Sequence, residues 1–328
     1  MALNKKIRWG VIGAGRIAHT FCKDMAFCEH AELSAIAARS LQSAQNFADI
    51  YAVDKAYGAY QHLYDDPQID AIYIATPHNF HFAQAKASLL AGKHVLVEKP
   101  ITVSAQQCAE LIALAKAQNC FLMEAMWSYF LPTIIKAKLW FDEGRIGNIV
   151  HIKADFGYPV AYVPGDRMYE PTLNGGCLLD MGIYPLALAQ YFLCQQPISS
   201  SYSSHFASTG VEDDLIILAD YSEARATLAT SFRAKLQNSA YIIGDKGYID
   251  IPNFWRADRC SLFAMDSKVD EFIDERKGSG FEFQIDAASE AIKLGKRETE
   301  LMPHSLSLDL QKQMDSIRGA IENQRSLQ

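Results

Sequence analysis

The sequence predicts an α/β protein with two domains, and three observations support that prediction. The chain has 328 residues, which is too many for one hydrophobic core of ordinary size. Strand and helix patterns alternate through residues 1–126, which predicts a doubly wound parallel sheet. In residues 127–328 short turns join strand patterns, which predicts an α+β domain with a large, mostly antiparallel, open-faced sheet. The C-terminal helices could pack back on the first domain.

Composition narrows the class of protein. The net charge is -7 and no basic block is present, which argues against a nucleic-acid-binding face. The 7 cysteines are odd in number and form no Cys-x-x-Cys pair, so neither a zinc site nor a disulfide framework is expected. No signal segment opens the chain, and no apolar run reaches the roughly 18 residues of a membrane span. We therefore expect a cytoplasmic protein without a membrane partner.

A glycine-rich turn follows the first predicted strand, at residues 7–12. Residues 13–18 have the pattern Gly-x-Gly-x-x-Ala and open a helix, which is the context that a dinucleotide-binding fingerprint requires. Gly13 would permit the tight turn, Gly15 would let a pyrophosphate approach the backbone, and Ala18 would pack helix against strand. The helix N-terminus offers free N–H groups to phosphate. The candidate cofactor residues of this turn are Gly13, Gly15, Arg16 and Ile17.

The end of the second predicted strand, at residues 33–38, indicates which dinucleotide binds. NAD-specific sites usually place Asp or Glu about 20 residues past the glycines, on the ribose hydroxyls. Here Arg39 and Ser40 occupy that place. A guanidinium can pair bidentately with a 2′-phosphate, so we expect NADP in preference to NAD. A solvated arginine at the start of a helix, which Ser40 would cap, is the alternative.

Polar residues cluster where the remaining strands of the first domain end, and parallel sheets bind ligands at that edge. His78 and His81 are spaced i and i+3, but no third ligand has a suitable spacing, so no metal is expected. Lys99 lies between Glu98 and Pro100, where its ammonium could lower the pKa of a phenol or bind a substrate hydroxyl. The predicted strands are 57–60, 69–75, 94–97 and 120–124. The candidate cofactor residues are Thr76, Pro77, His81, Glu98 and Lys99, with Glu124 nearby.

The second domain is predicted to place its chemistry at one helix start. Gly175 and Gly176 would let the backbone pass close to a flat ligand, and a helix follows. Asp180 and Tyr184 are four residues apart and share a helix face, which suits proton transfer, although an exposed capped helix is the simpler interpretation. An open sheet face favours a homo-oligomer. The predicted strands are 149–156, 202–208, 213–221, 225–234, 239–244 and 247–251, and the helices 132–143, 281–295 and 305–322.

Four motifs together resemble the glucose–fructose oxidoreductase / inositol dehydrogenase / MocA family over roughly residues 7–322. Tyr184 stands where that family usually has histidine. With the motifs at 121–127 and 154–157, this resembles the branch of dimeric dihydrodiol dehydrogenases and NADP-dependent D-xylose dehydrogenases. The motifs are Gly13-Ala14-Gly15, Thr76-Pro77 with His81, Glu98-Lys99-Pro100 and Gly175-Gly176 with Asp180.

The resemblance implies a Rossmann NADP-binding domain at 1–126 and a substrate-binding and oligomerisation domain at 127–328. It implies that Lys99 and Tyr184 are catalytic and that Asp180 orients the substrate. Arg167 lies where relatives carry an arginine near the cofactor. The residues that would line an apolar substrate wall are Trp127, Phe156 and Trp255.

The implied reaction is hydride transfer between nicotinamide and a ring hydroxyl or anomeric carbon of an aldopyranose or cyclic trans-diol. An unperturbed tyrosine has a pKa near 10, so Tyr184 would depend on the ammonium of Lys99 to act as a base. Two alternatives stay open at this point. One is a non-catalytic NADP-binding regulatory protein, and the other is an NAD-dependent glycoside hydrolase of the same fold.

Overall fold

The computed structural model describes residues 5–326, which form two compact units. The first unit comprises residues 5–130 and 276–308, and the second comprises residues 131–275 and 309–326. The chain therefore leaves the first unit after one strand-helix series and returns to it with a late helix.

The first unit contains a parallel sheet with the strand order β3-β2-β1-β4-β5-β6. This is the order of the dinucleotide-binding doubly wound fold, so the predicted fold class is confirmed for this unit. The central strands are buried on both faces because helices cover them. The strands are β1 (Ile7–Ile12), β2 (Ala31–Ala37), β3 (Lys55–Tyr57), β4 (Ala71–Ile74), β5 (His94–Glu98) and β6 (Leu122–Ala125).

The helices of the first unit begin largely where the sequence predicts. The Ser40 hydroxyl accepts the N–H of Ser43 and caps one of them, as expected. The strand predicted at 57–60 lies at 55–57 instead, because Tyr60 begins a helix in which Leu63 and Tyr64 are buried. The helices are α1 (Arg16–Asp24), α2 (Leu41–Tyr51), α3 (Tyr60–Asp65), α4 (His81–Leu90), α5 (Ala105–Ala117) and, after the second unit, α8 (Phe281–Lys293). α9 (His304–Ser326) spans the division between the units.

The second unit contains an eight-stranded sheet in which β7 and β10 are parallel and the other pairs antiparallel. The last two strands were not predicted, and the edge strand β14 has no buried residue and so lacks the apolar alternation that indicates a strand. The strands are β7 (Ile149–Gly157), β8 (Ser199–Phe206), β9 (Glu212–Asp220), β10 (Arg225–Ser231), β11 (Ser239–Gly244), β12 (Tyr248–Pro252), β13 (Arg259–Ala264) and β14 (Ser267–Ile273).

Helices cover one face of this sheet. α6 (Pro132–Asp142) packs on β13 and β14, and α7 (Ile183–Leu193) packs on β7 and β10. A π-helical turn at Leu178–Gly182 leads directly into α7, where the sequence predicted ordinary α-helix. No membrane-spanning run is expected from the sequence, yet Pro171–Leu193 is long and apolar enough to cross a membrane by length and composition alone. Its most apolar window is 83% buried inside the protein, as in the core helix of a globular protein.

Candidate active site

The glycine turn after β1 leaves space at the start of α1. Gly13 has φ +104, and a Cβ there would lie 2.9 Å from the carbonyl oxygen of Ala75, so the turn itself requires glycine. A Cβ on Gly15 would meet no atom of residues 5–326 within 4 Å. Gly15 is also the N-cap of α1, and its position provides no side-chain cap for the N–H groups that follow. This open approach to an uncapped helix N-terminus fits the pyrophosphate of a dinucleotide.

The end of β2 presents a positive charge. Arg39 is exposed, directly after the buried residues that end the strand. It lies close enough to Tyr60 to lower the pKa of that phenol, although burial raises it by more. The neighbouring Ser40 uses its hydroxyl oxygen to cap α2. An exposed guanidinium beside a capped helix can accommodate the 2′-phosphate of NADP.

His81 joins two loops at the strand-end edge of the same sheet. The ring is 1% exposed, with Nδ1 2.8 Å from the carbonyl oxygen of Pro100 and Nε2 2.8 Å from that of Thr76. Both ring nitrogens thus face backbone carbonyl oxygens of the protein. The Thr76 hydroxyl donates to Gln84 Oε1 at 2.6 Å. Among residues 5–326, no group of three or more His, Cys, Asp or Glu is placed to hold a metal ion.

Two buried carboxyl groups lie beside Lys99. The Tyr73 hydroxyl donates to Glu98 Oε1 at 2.5 Å, and Glu124 Oε1 accepts the N–H of Ile101 at 2.9 Å. The pKa of Glu124 is raised to about 7, chiefly by burial, while hydrogen bonds from Ile101 and Ser307 act to lower it; the charge of Glu98 acts to raise it and that of Lys99 to lower it. Lys99 is half-buried and precedes a cis peptide bond to Pro100. Buried hydrogen bonds therefore hold the backbone around Lys99, and they fix the point from which its side chain extends.

In the second unit, Asp180 and Tyr184 lie on consecutive turns of one helical segment. Asp180 belongs to the π-helical turn and Tyr184 to the first turn of α7. Such π turns often occur at functional sites. The guanidinium of Arg167 donates to Asp180 Oδ1 from Nη1 at 3.3 Å and from Nη2 at 3.4 Å. Asp180 thus has a cationic partner from the irregular segment before it, a pairing that the sequence analysis did not foresee.

The glycine pair before this turn is surrounded by the protein's own atoms. A Cβ on Gly175 would lie 2.7 Å from the carbonyl oxygen of Met168, and one on Gly176 would lie 2.3 Å from Glu212 Oε1. Gly176 also has φ +127. Packing within the protein accounts for both glycines, so the expectation that they face a flat ligand needs correction.

Aromatic rings surround Tyr184. Phe156 stacks on Trp255 with ring centroids 4.2 Å apart, and its ring meets that of Tyr184 edge-on at 5.5 Å. Tyr158 contacts both Phe156 and Trp255 edge-on, and the sequence analysis missed it although it lies two residues beyond Phe156, on the same side of an extended chain. This arrangement combines a phenol with an apolar surface on which a ring could lie.

Trp127, the third residue predicted for the apolar wall, belongs to the first unit. It is 8% exposed and packs against Phe281 of α8, with ring centroids 4.8 Å apart. The structure therefore brings Phe156 and Trp255 together with Tyr184 in the second unit, and Trp127 packs within the first unit.

Comparisons with known proteins identify the family of both parts of the chain. The family model described as "Oxidoreductase family, NAD-binding Rossmann fold" matches residues 7–126, and "GFO/IDH/MocA C-terminal domain" matches residues 134–250. Trans-1,2-dihydrobenzene-1,2-diol dehydrogenase of Xenopus laevis is 35% identical, over 90% of this chain and 92% of its own.

Solved structures show the same fold. Aldose-aldose oxidoreductase from Caulobacter crescentus superposes with a TM-score of 0.90 at 22% identity, covering 97% of this chain and 98% of its own. The 3-ketoreductase KijD10 from Actinomadura kijaniata, solved with NADP and TDP-benzene, has a TM-score of 0.84 at 26% identity, covering 96% and 98%. The chain therefore belongs to the Gfo/Idh/MocA family of oxidoreductases and is an NAD(P)-dependent dehydrogenase.

Proposed function

We propose that this dehydrogenase uses NADP and transfers hydride between the nicotinamide and a ring hydroxyl or anomeric carbon of an aldopyranose or cyclic trans-diol. The observation that most supports this proposal is the phenol of Tyr184 set against the Phe156–Trp255 stack, one turn from Asp180. The dihydrodiol dehydrogenases among the relatives support a cyclic diol, and KijD10, solved with NADP, supports the cofactor.

The cofactor would be held by residues of the first unit. Backbone N–H groups of Arg16 and Ile17 would bind the pyrophosphate over Gly15, and Arg39 with Ser40 would bind the 2′-phosphate. Gly13 would keep the turn tight. The residues proposed to border the cofactor at the strand ends are Thr76, Pro77, His81, Glu98 and Lys99.

The bound nicotinamide would accept or supply the hydride. Tyr184 would take the proton from the hydroxyl that becomes a carbonyl, and it would return that proton in reduction. A positive charge from Lys99 would favour the phenolate that this step needs. Asp180, held by Arg167, would accept hydrogen bonds from substrate hydroxyls. Phe156 and Trp255 would cover the apolar side of the ring, together with Trp127.

Replacing Tyr184 tests the proposal directly. Substrates to be compared with NADP⁺ are D-xylose, D-glucose and a trans-dihydrodiol, followed by the absorbance of the reduced cofactor. We expect Tyr184→Phe to lower kcat about 100-fold or more because the proton acceptor is lost, while the Kd for NADPH stays within about twofold. Tyr202→Phe on β8 is the matched control and should leave kcat unchanged.

The other outcomes of this panel decide between the alternatives. An unchanged kcat in Tyr184→Phe would contradict the role of this phenol. Binding of NADPH without turnover of any substrate would favour a regulatory protein. In a parallel assay with an aryl glycoside, cleavage without net reduced cofactor would favour the transient-oxidation mechanism of the NAD-dependent glycoside hydrolases.

We also propose that the uncovered face of the second unit's sheet forms a homo-oligomer. On β9, Ile216 is 43% exposed and Leu218 is 53% exposed, and both point to the face opposite the buried Leu215 and Ile217. Contiguous exposed apolar side chains commonly mark an interface. Sedimentation equilibrium measures the assembly, and a monomer at micromolar concentration would contradict this proposal.

A further inference from the structure

A buried carboxyl group lies at the start of the helical segment that carries Asp180 and Tyr184. Glu212 opens β9 and is 7% exposed, and its Oε1 accepts the N–H of Leu178 at 3.1 Å. Leu178 is the first residue of the π-helical turn, and α7 follows that turn without a break. The N–H that Glu212 holds is one of those that a helix start leaves without an intrahelical partner.

The carboxyl group of Glu212 occupies the space that a Cβ at residue 176 would need. A Cβ on Gly176 would lie 2.3 Å from Oε1 and 2.7 Å from Oε2 of Glu212, and residue 176 has φ +127. Any other residue at 176 would displace the carboxyl group or the backbone. The backbone that leads into the π turn therefore packs closely against the carboxyl group of Glu212.

Burial and neighbouring charges shift the pKa of Glu212. The pKa is raised to about 7, chiefly by burial, although the backbone N–H of Glu212 itself, the bond from Leu178 and the charge of Arg318 on α9 act to lower it. Glu322, also on α9, raises it. The adjacent thiol of Cys177 is fully buried, and its pKa is raised well above the ordinary value by burial and by Glu212. A carboxylate at a helix N-terminus is stabilised by the helix dipole.

We infer that Glu212 is a positioning residue that sets the orientation of Asp180 and Tyr184 by holding the N–H of Leu178. This inference rests on the proposed function, in which those two side chains meet the substrate. Glu212 itself lies beneath the turn and acts through the backbone. A displacement of about 1 Å at reacting groups can lower a rate about 100-fold, so a buried hydrogen bond at the start of the turn can matter for turnover.

Three variants of Glu212 separate its possible contributions. Glu212→Ala removes the acceptor, Glu212→Asp shortens the side chain by one methylene, and Glu212→Gln keeps both length and an acceptor oxygen. We expect kcat to fall about 10- to 100-fold in the first two and to stay within about threefold in Glu212→Gln. The Kd for NADPH should stay within about twofold in all three. Glu223→Ala, at an exposed glutamate of the same unit, should have no effect.

Titration gives a second readout. Because the folded pKa of Glu212 is raised from about 4.5 to about 7, the stability that its protonated form contributes is lost as pH rises through that window. The thermal midpoint of the wild type should therefore fall more between about pH 5.5 and about pH 8 than that of Glu212→Gln. Equal falls would contradict a buried titrating carboxyl at this position.

Amide hydrogen exchange tests positioning without relying on activity. Exchange in residues 177–184 should rise in Glu212→Ala and stay at the wild-type level in Glu212→Gln, with β7 and β10 unchanged in both. If the wild type turns over no substrate, the proposed function fails while this measurement still decides the role of Glu212. Wild-type kcat and exchange in Glu212→Ala would overturn the inference. Failure of all three variants to fold, Glu212→Gln included, would make the residue purely structural and overturn it too.

Discussion

Two glycine turns precede the helices that carry this protein's candidate chemistry, and they use glycine for different reasons. In the turn of the first unit, Gly13 is required by its positive φ and a nearby carbonyl oxygen, whereas Gly15 faces open space. In the turn of the second unit, Gly175 and Gly176 are both surrounded by backbone or carboxyl atoms of the protein. The atoms that a Cβ would meet thus distinguish a glycine that leaves room for a ligand from one that leaves room for other atoms of the protein.

Each unit also has a buried carboxyl group that binds the backbone near a candidate catalytic residue. Glu124 accepts the N–H of Ile101, two residues after Lys99, and Glu212 accepts the N–H of Leu178, two residues before Asp180. Burial raises the pKa of both carboxyl groups to about 7. Each unit therefore fixes the backbone beside a candidate catalytic side chain with a buried acid, which would hold that side chain's position against thermal motion.

Of the substitutions at the two glycine turns, Gly176→Ala is expected to have the largest effect on stability, because backbone strain and a steric clash act together. We expect a loss of about 3 kcal/mol in the free energy of unfolding, measured by urea denaturation. Gly165→Ala is the matched control, since Gly165 has φ +76 but its Cβ would meet nothing within 4 Å. It should lose only about 1 kcal/mol, from the left-handed backbone alone. Equal losses would show that Glu212 does not crowd residue 176.

The sequence predicted the parts of the molecule whose signals are local. The alternation of strands and helices, the turn at Gly13–Gly15 and the cap at Ser40 are each determined within a few residues, and the structure contains all three. The partners of Asp180 and Gly176 could not be predicted in that way. Glu212 reaches Gly176 across 36 positions of sequence (212 minus 176), and only the folded sheet brings them together.

The π turn and the edge strand show two further limits of the sequence. The π turn forms in a segment that Glu212 and Thr230 contact from distant strands. β14 has no buried residue, so its pairing with β13 leaves no apolar period to detect. Both features depend on tertiary partners that propensity does not encode.

Arg39→Asp tests the proposed preference of the first unit for NADP over NAD. A carboxylate would repel the 2′-phosphate of NADPH and accept hydrogen bonds from the ribose hydroxyls of NADH. We expect the Kd for NADPH to rise about 100-fold and that for NADH to change less than about threefold, as measured by quenching of protein fluorescence. Arg225→Asp, at an exposed arginine of the second unit, should change neither value. Equal weakening of both cofactors would contradict the preference for NADP.

Gly15→Ala should have the smallest effect on stability and still weaken the binding of NADPH. This result would distinguish the role of Gly15 from that of Gly176. A Cβ on Gly15 meets no protein atom within 4 Å, so the free energy of unfolding should change by less than about 1 kcal/mol. The methyl group would instead occupy the approach to the helix N-terminus, and we expect the Kd for NADPH to rise about 10-fold. Gly319→Ala in α9 also adds a methyl group that meets nothing within 4 Å, and it should leave that Kd unchanged. If Gly15→Ala binds NADPH as the wild type does, the open space over Gly15 is not where the pyrophosphate lies.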